Sequence, residues 1–226
     1  MTIREVAVRI GGRDCLIASD DNYLDHIGGD FEPHMVELFR CVAGGSKLIL
    51  DVGANIGCTA LLFGDMADQV HVFEPSPTTF AYLQQNVQAN GKGNVTLHNF
   101  GLGAEAMVST ITFAPNNRSG GFVSDQTKAN ADHLSEQIEI RTLDGFLAGA
   151  ALAAPDFIKI DVEGFEGHVL RGAAATLARH RPVIVLELNH WCLNAFQRTS
   201  LPDFFDQLRA TFPILYAVDG NQYLNL

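Results

Sequence analysis

The chain has 226 residues, enough for one α/β domain with a sizeable core and rather few for two. Hydrophobic residues make up 47% and charged residues 18%, an ordinary globular composition that argues against intrinsic disorder. The formal net charge is -11 and Lys and Arg are not clustered, so nucleic acid is disfavoured as a partner. No apolar run approaches the ~18–20 residues that a membrane span requires.

The opening residues, MTIREVAVRI, and the cysteines indicate the cellular compartment. Arg4, Glu5 and Arg9 interrupt the apolar positions, which is wrong for the hydrophobic region of a secretory signal. The cysteines are scattered, without a CxxC pair or a Cys/His cluster, and we expect buried free thiols at Cys15, Cys41, Cys58 and Cys192. Both features predict a cytoplasmic protein.

Residues 1–46 are the first part of one predicted domain that spans residues 1–226. Apolar residues alternate between positions 6 and 17, around a Gly–Gly pair, and predict a β-hairpin. A polar stretch then leads to a helix expected at about residues 36–42. We interpret this region as an N-terminal hairpin followed by a lid segment.

From residue 47 onward the pattern alternates between strands and helices. Five short apolar runs predict strands buried on both faces, as in a parallel sheet: residues 48–52, 70–73, 95–99, 157–160 and 183–188. The clearest helix begins after Ser76, a capping residue, with Pro77 in its first turn, and Gly91 is expected to end it. The chain closes with two predicted strands around a turn at residues 219–220.

Residues 106–143 interrupt this alternation of strands and helices. Segments 106–114 and 136–143 alternate like antiparallel strands, and a polar segment of about 20 residues lies between them. Loops of that length in a compact domain are usually functional or disordered. We interpret the insertion as a β-hairpin flap over the functional site, with a surface excursion as the alternative.

The strongest motif is LILDVGANIG at residues 48–57. A buried strand ends at Asp51, and Gly53, Ala54 and Gly57 form a tight turn into a helix, so that a ligand can approach the backbone closely. The second strand ends about 20 residues later at Glu74, which Pro75 follows. A carboxylate at that point can accept hydrogen bonds from both hydroxyls of an adenosine ribose.

Asn55 discriminates between the adenosine cofactors that such a turn can bind. Dinucleotide sites carry GxGxxG, with a glycine where the pyrophosphate approaches, whereas this chain has GxNxG. A methyltransferase has no pyrophosphate to accommodate but requires an acidic residue near the methionine ammonium, the place that Asp51 occupies. The motif therefore favours S-adenosyl-L-methionine, and a nicotinamide-dependent oxidoreductase is the alternative.

Five segments resemble the FkbM-type methyltransferase family, within about residues 31–189: DVGANIG, VFEPSP, NVTLHNFGLG, TLDGFL and DFIKIDVEGFEGHVLRGA. Members are class I methyltransferases, many of which act on hydroxyls of sugars, glycolipids or natural products. The resemblance implies an α/β, Rossmann-like fold with a seven-stranded, mostly parallel sheet, whose antiparallel last strand the closing hairpin would supply. It also implies that Glu32 contacts the methionine end of the cofactor. The residues implied around the adenine are Asn99, Phe100, Gly101 and Leu102.

Two further carboxylates, Asp161 and Glu163, follow the strand at residues 157–160. We expect them at the rim that already carries Asp51 and Glu74. Four acidic groups at one sheet edge repel one another, which is unusual without a cationic ligand such as the sulfonium of S-adenosylmethionine. Asp161 is therefore expected to contact the cofactor as well.

Methyl transfer to a hydroxyl requires a general base or a metal ion to take the proton. The candidates for the base are Asp161, Glu163, His168, Glu187 and His190. We predict that Asp161, Glu163 and His190 are catalytic, since His190 directly follows the fifth strand. Whether a metal is needed stays open, because Asp161, Glu187 and Asn189 offer the hard oxygen ligands that suit magnesium or calcium.

No motif identifies the methyl acceptor. Arg118 suits a clamp for a carboxylate or phosphate, although a solvated loop arginine is the more common case. Phe122 and Trp191 can stack on a sugar, but core or interface packing is the more common role. We predict an O-methyltransferase with a small-molecule or carbohydrate acceptor and leave a homo-oligomer open. A protein that binds S-adenosylmethionine without turnover is the remaining alternative.

Overall fold

The structure is a computed structural model that describes residues 3–124, 127, 131–218 and 223–225. Its first sheet contains β1 (Arg4–Ile10), β2 (Arg13–Ser19) and β3 (Gly29–Asp30). Strands β1 and β2 form the predicted antiparallel hairpin, and Val8 and Ile17 are fully buried on its inner face. Helix α1 (Tyr23–His26) and helix α2 (Pro33–Ala43) follow, so the predicted helix at residues 36–42 lies within α2.

The next elements are β4 (Ser46–Val52), α3 (Cys58–Phe63), β5 (Ala67–Phe73), α4 (Pro77–Ala89) and β6 (Val95–His98). Helix α4 begins where the sequence predicts, because the Ser76 hydroxyl accepts a hydrogen bond from the Thr79 amide at 3.2 Å. Its apolar face carries Leu83 and Val87, both buried in the core. The helix ends at Ala89, shortly before Gly91.

The insertion forms a second sheet, from β7 (Gly101–Leu102), β8 (Met107–Ala114), β9 (Asn117–Val123) and β10 (Leu134–Arg141), and helix α5 (Leu143–Gly149) follows it. Strands β8 and β10 correspond to the two predicted strands and pair antiparallel. The polar segment that was predicted as a loop instead contains a strand, β9, which pairs with β8. Its polar, glycine-containing sequence has little alternation, and strand pairing is what holds it extended.

The last elements are β11 (Phe157–Ile160), α6 (Glu166–Gly172), α7 (Ala174–His180), β12 (Val183–Leu186), α8 (His190–Gln197), α9 (Leu201–Thr211), β13 (Tyr216–Val218) and β14 (Tyr223–Asn225). Among the described residues the central sheet is parallel, with five strands in the order β12-β11-β4-β5-β6. All five predicted core strands are confirmed. Strands β6 and β12 end at His98 and Leu186, slightly earlier than predicted.

The predicted count of seven strands is not confirmed. Strands β13 and β14 pair antiparallel with each other, as a separate two-stranded sheet, rather than with β12. The turn predicted between them, at residues 219–220, lies outside the described residues. In the part of the chain that is described, no helix is both long and apolar enough to cross a membrane.

Helices cover both faces of the central sheet. Alternate residues of each strand point to opposite faces, and both sets are buried, as Ile49 against α2 and α3 and Leu50 against α6 show. This two-sided burial explains why the strands read as continuous apolar runs. Because the five strands are parallel, their carboxyl ends meet at one edge, which is where such sheets bind ligands.

All four cysteines are free. Cys15, Cys58 and Cys192 are buried as predicted, whereas Cys41 is exposed on α2.

Candidate functional site

The turn after β4 has the conformation that its glycines predict. Gly53 and Gly57 have φ values of +81° and +103°, and Asn55 is left-handed as well, with φ +51°. A Cβ atom on Gly53 would lie only 1.8 Å from the Asp161 carbonyl oxygen. The Gly53 amide also donates to the Phe73 carbonyl oxygen at 3.0 Å. The turn is therefore packed directly against the ends of β5 and β11.

Asp51 is fully buried beneath this turn. The Thr59 hydroxyl donates to its Oδ2 atom at 2.7 Å, whereas Oδ1 accepts no hydrogen bond from the described residues. The buried Oδ1 atom of Asn55 likewise lacks a partner within the described part of the chain. Burying an unpaired polar atom costs about 1–3 kcal/mol, so the Asn55 oxygen is suited to accept a hydrogen bond from a ligand. S-adenosylmethionine, with its ammonium and adenosine donors, fits this requirement. The Asp51 oxygen lies 3.6 Å from the Lys159 Nζ atom, which supplies its charge partner.

Glu74 follows β5 and accepts hydrogen bonds from the amides of Asn55 at 3.1 Å and Ser76 at 2.9 Å. Burial raises the pKa of Glu74 to about 7, although these two amides act in the opposite direction. The predicted adenine residue Asn99 donates its side-chain amide to the carbonyl oxygens of Glu74 and Pro75, at 2.9 and 3.1 Å. Asn99 thus supports the backbone beside Glu74 and is not among the described residues that line the cavity.

Lys159 was not among the candidates predicted from the sequence, yet it lies at the centre of the site. It pairs with Asp51 in the register of β11 and β4. Its Nζ atom donates to the Gly53 carbonyl oxygen at 2.8 Å and lies 3.2 Å from Asp161 Oδ2 and 3.6 Å from Asp51 Oδ1. Burial lowers the pKa of Lys159, but the carboxylates of Asp161 and Asp51 outweigh it and hold that pKa above its usual range. The sequence feature that could have identified this residue is a lysine within FIKI, an otherwise apolar run that is predicted to be buried.

Three carboxylates meet at the ends of β11 and β12, with Asp161, Glu163 and Glu187 each offering an oxygen within 4.8 Å of the others. Burial, and then the charges of Asp161 and Glu163, raise the pKa of Glu187 to about 8. Burial also raises the pKa of Glu163, whose Oε2 accepts a hydrogen bond from the Cys192 thiol at 3.1 Å. We call these three residues the carboxylate triad.

The carboxylate triad has the donor atoms and spacing that suit a divalent cation. The predicted ligand set of Asp161, Glu187 and Asn189 is only partly assembled, because Asn189 caps helix α8. Its Oδ1 atom accepts hydrogen bonds from the amides of Trp191 and Cys192, at 3.2 and 3.3 Å.

The two candidate histidines lie apart from the carboxylate triad. His190 is exposed in the first turn of α8 and is not among the described residues that line the cavity. His168 stacks on Phe165, with ring centroids 4.2 Å apart. Glu32, by contrast, lines the cavity, and burial and the charge of Asp161 raise its pKa.

Arg118 of β9 is not the solvated loop arginine that we expected, since its side chain is only 9% exposed. Its guanidinium donates to both carboxylate oxygens of Asp20, at 3.1 and 3.0 Å, and to the Thr78 hydroxyl at 2.7 Å. On β10, Glu136 accepts a hydrogen bond from the Ser76 hydroxyl at 2.6 Å. These contacts attach the insertion to the beginning of α4. Arg118 is therefore already paired within the protein, whereas an arginine that clamps an acceptor would need a free guanidinium.

The two aromatic candidates for sugar stacking differ in exposure. Phe122 is buried and stacks on Phe196, with ring centroids 3.8 Å apart. It therefore packs in the protein interior, the more common role that we weighed against sugar stacking. Trp191 is 61% exposed and contacts Phe196 by its edge.

A cavity of about 1860 Å³ connects the glycine turn, Glu74, Lys159 and the carboxylate triad. The predicted cofactor residues that line it are Glu32, Gly53, Ala54, Asn55, Gly57, Glu74, Pro75, Gly101, Leu102 and Asp161. Glu163 and Glu187 line it as well, and it continues along β12 to β13. The predicted cofactor residue Asp51 is not among the described residues that line it. Sites for one small ligand usually measure about 300–1000 Å³, so this cavity has room for a cofactor and a second molecule.

Comparison with known proteins identifies the family. The model of the methyltransferase FkbM domain matches residues 51–217, which include the glycine turn, Glu74 and the carboxylate triad. Methyltransferase 1 of Beauveria bassiana is 31% identical over 144 residues, which are 56% of this chain and 58% of that protein. Hexuronic acid methyltransferase AglP of Haloferax volcanii is 30% identical over 159 residues, 68% of this chain and 61% of AglP.

A third relative is the 2-O-methyltransferase NoeI of Sinorhizobium fredii, 29% identical over 150 residues, or 59% of this chain and 60% of NoeI. The chain thus matches only 58% to 61% of the length of these curated relatives. In fold it is similar to the crystal structure of methyltransferase FkbM from Methylobacillus flagellatus KT, with a TM-score of 0.52 and 20% identity, over 80% of this chain and 42% of that one. The extent of the domain match, together with the site that it includes, shows that this chain belongs to the FkbM methyltransferase family.

Proposed function

We propose that this protein is an S-adenosyl-L-methionine-dependent O-methyltransferase that acts on a hydroxyl of a sugar, glycolipid or natural product. The observation that carries this proposal is one cavity that joins a glycine turn, the buried carboxylate of Glu74 and the carboxylate triad. The names of the relatives support the acceptor class, since NoeI is a 2-O-methyltransferase and AglP acts on a hexuronic acid.

The cofactor end of the cavity is formed by the glycine turn with Asn55 and by Glu74, and Asp51 is buried beneath that turn. In this assignment Glu74 accepts hydrogen bonds from the ribose hydroxyls, and the unpaired Oδ1 atom of Asn55 accepts one from the cofactor. When bound, S-adenosylmethionine supplies an electrophilic methyl group. A nicotinamide cofactor fits less well, because Asn55 occupies the position where a pyrophosphate needs glycine.

The acceptor end is formed by the carboxylate triad, and we assign the general base to Glu187. Asp161 is paired with Lys159, and Glu163 accepts a hydrogen bond from Cys192. Glu187 is the most exposed of the three residues although it lines the cavity, and its pKa of about 8 suits a base that works near neutral pH. In this assignment Glu187 takes the acceptor's hydroxyl proton while the cavity walls hold that oxygen in line with the methyl group.

Titration with S-adenosylhomocysteine tests the cofactor assignment. We expect micromolar binding by the wild type and about 10- to 100-fold weaker binding by Glu74→Gln, because a hydrogen bond to a charged acceptor contributes about 1.5–3 kcal/mol. Isothermal titration calorimetry gives both affinities, with NADH as the competing ligand. A folded wild-type protein that binds NADH and not S-adenosylhomocysteine would contradict the proposal.

The pH dependence of binding gives a second test of Glu74. Ribose hydroxyls donate to the ionised carboxylate, and the pKa of Glu74 in the unliganded protein is about 7. The affinity of the wild type should therefore rise between about pH 6 and pH 8, by up to about tenfold per pH unit below the pKa. The same titrations on Glu74→Gln should lack this part of the slope. Identical slopes for the two proteins would show that Glu74 does not contact the ligand.

Charge at the acceptor end predicts a preference among acceptors. The carboxylate triad is acidic, and the nearby cations Lys159 and Arg118 already have carboxylate partners. We expect kcat/KM for a neutral sugar to exceed that for the matching uronic acid by about tenfold or more, through like-charge repulsion. Rates for the two acceptors with the wild type and Glu163→Gln measure the effect, which the substitution should reduce. A faster reaction with the uronic acid would refute this preference.

A further inference from the structure

The carboxylates at the rim have a cation supplied by the protein itself. From the sequence, four acidic groups at one sheet edge appeared to need a cationic ligand. In the structure Lys159 lies between two of them, and its side chain is 8% exposed. Its Nζ atom lies within 3.6 Å of three oxygens, which belong to the Gly53 carbonyl and to the carboxylates of Asp161 and Asp51.

These three contacts join the two turns that form the cofactor end of the site. Gly53 belongs to the turn after β4, and Asp161 begins the turn after β11. The turns are already in close contact, since the Asp161 amide donates to the Val52 carbonyl oxygen at 3.1 Å. Without a cation between them, the buried Asp51 and the neighbouring Asp161 would repel each other at this junction.

We propose, on the basis of the proposed function, that Lys159 is a positioning residue that holds Asp161 beside the Gly53 turn in the arrangement that binds the cofactor. Lys159 acts through Asp161 and does not itself need to contact the ligand. A purely electrostatic role has the opposite consequence. Since S-adenosylmethionine carries a sulfonium charge, removing a nearby cation would then strengthen its binding.

Two ligands separate these roles, because S-adenosylhomocysteine lacks the methyl group of S-adenosylmethionine and, with it, the positive charge of the sulfonium. We expect Lys159→Met to weaken the binding of both ligands alike, by about tenfold or more. Lys159→Arg, which keeps the charge, should recover part of the affinity. The matched control is Lys92→Met, which removes another buried lysine, paired with Asp65, that is not among the described residues lining the cavity. This control should bind both ligands as the wild type does.

A double-mutant cycle with Asp161→Asn tests whether Lys159 acts through Asp161. We expect Lys159→Met/Asp161→Asn to bind S-adenosylhomocysteine as Asp161→Asn does, and this comparison serves even if Lys159→Met alone fails to fold. Further weakening in the double variant would overturn the proposal, as would unchanged or tighter binding of S-adenosylmethionine by folded Lys159→Met. If the wild type binds neither ligand, it is the proposed function that fails.

Discussion

Glu187→Gln is expected to lower kcat for methyl transfer by about 10²–10⁴-fold, the usual contribution of a general base. Glutamine keeps the size of the side chain but cannot take a proton from the acceptor hydroxyl. Because Glu187 lies at the acceptor end, the affinity for S-adenosylhomocysteine should change little. Initial rates at saturating S-adenosylmethionine, together with calorimetric titration of the same protein, separate the two effects.

The pH profile provides a check on Glu187. A base works in its ionised form, so kcat of the wild type should rise with pH up to the pKa of Glu187, which is about 8 in the unliganded protein. Glu187→Gln should lose this limb of the profile. His190→Gln is the matched control, since His190 is exposed and is not among the described cavity residues. If His190→Gln loses as much activity as Glu187→Gln, the assignment of the base to Glu187 is wrong.

Gly53→Ala is the substitution with the largest expected effect on stability. The new Cβ atom would lie 1.8 Å from the Asp161 carbonyl oxygen, and an alanine would also have to adopt φ +81°. Left-handed strain and overpacking each cost about 1–3 kcal/mol, so the free energy of unfolding should fall by roughly 3 kcal/mol or more. Since the turn is part of the cofactor end, binding of S-adenosylhomocysteine should be lost as well. Urea denaturation and calorimetric titration measure the two quantities.

Gly93→Ala provides the comparison for Gly53→Ala. A Cβ atom on Gly93 would meet nothing within 4 Å, so we expect its stability within about 0.5 kcal/mol of the wild type. A Gly53→Ala protein as stable as Gly93→Ala, with intact binding, would mean that the turn after β4 is not packed as described.

Local patterns in the sequence were sufficient for the main elements and for the cofactor end of the site. Continuous apolar runs located all five parallel strands, and Ser76 with Pro77 located the start of α4. Glycine spacing predicted the turn at Gly53, and the acidic residue after the second strand identified Glu74. These predictions succeed because turn conformation, helix capping and burial on both faces depend on residues adjacent in the chain.

Only the tertiary structure decided which distant groups meet. Strand β9 is extended because it pairs with β8, and Arg118 is buried because Asp20 lies opposite it. Strand register places Lys159 beside Asp51, whereas Asn99 supports the backbone next to Glu74 instead of lining the cavity. The sequence by itself determined the five central strands, the glycine turn and which acidic residues follow those strands. Partner choice and charge compensation came from the packing of segments far apart in the chain, which local patterns do not encode.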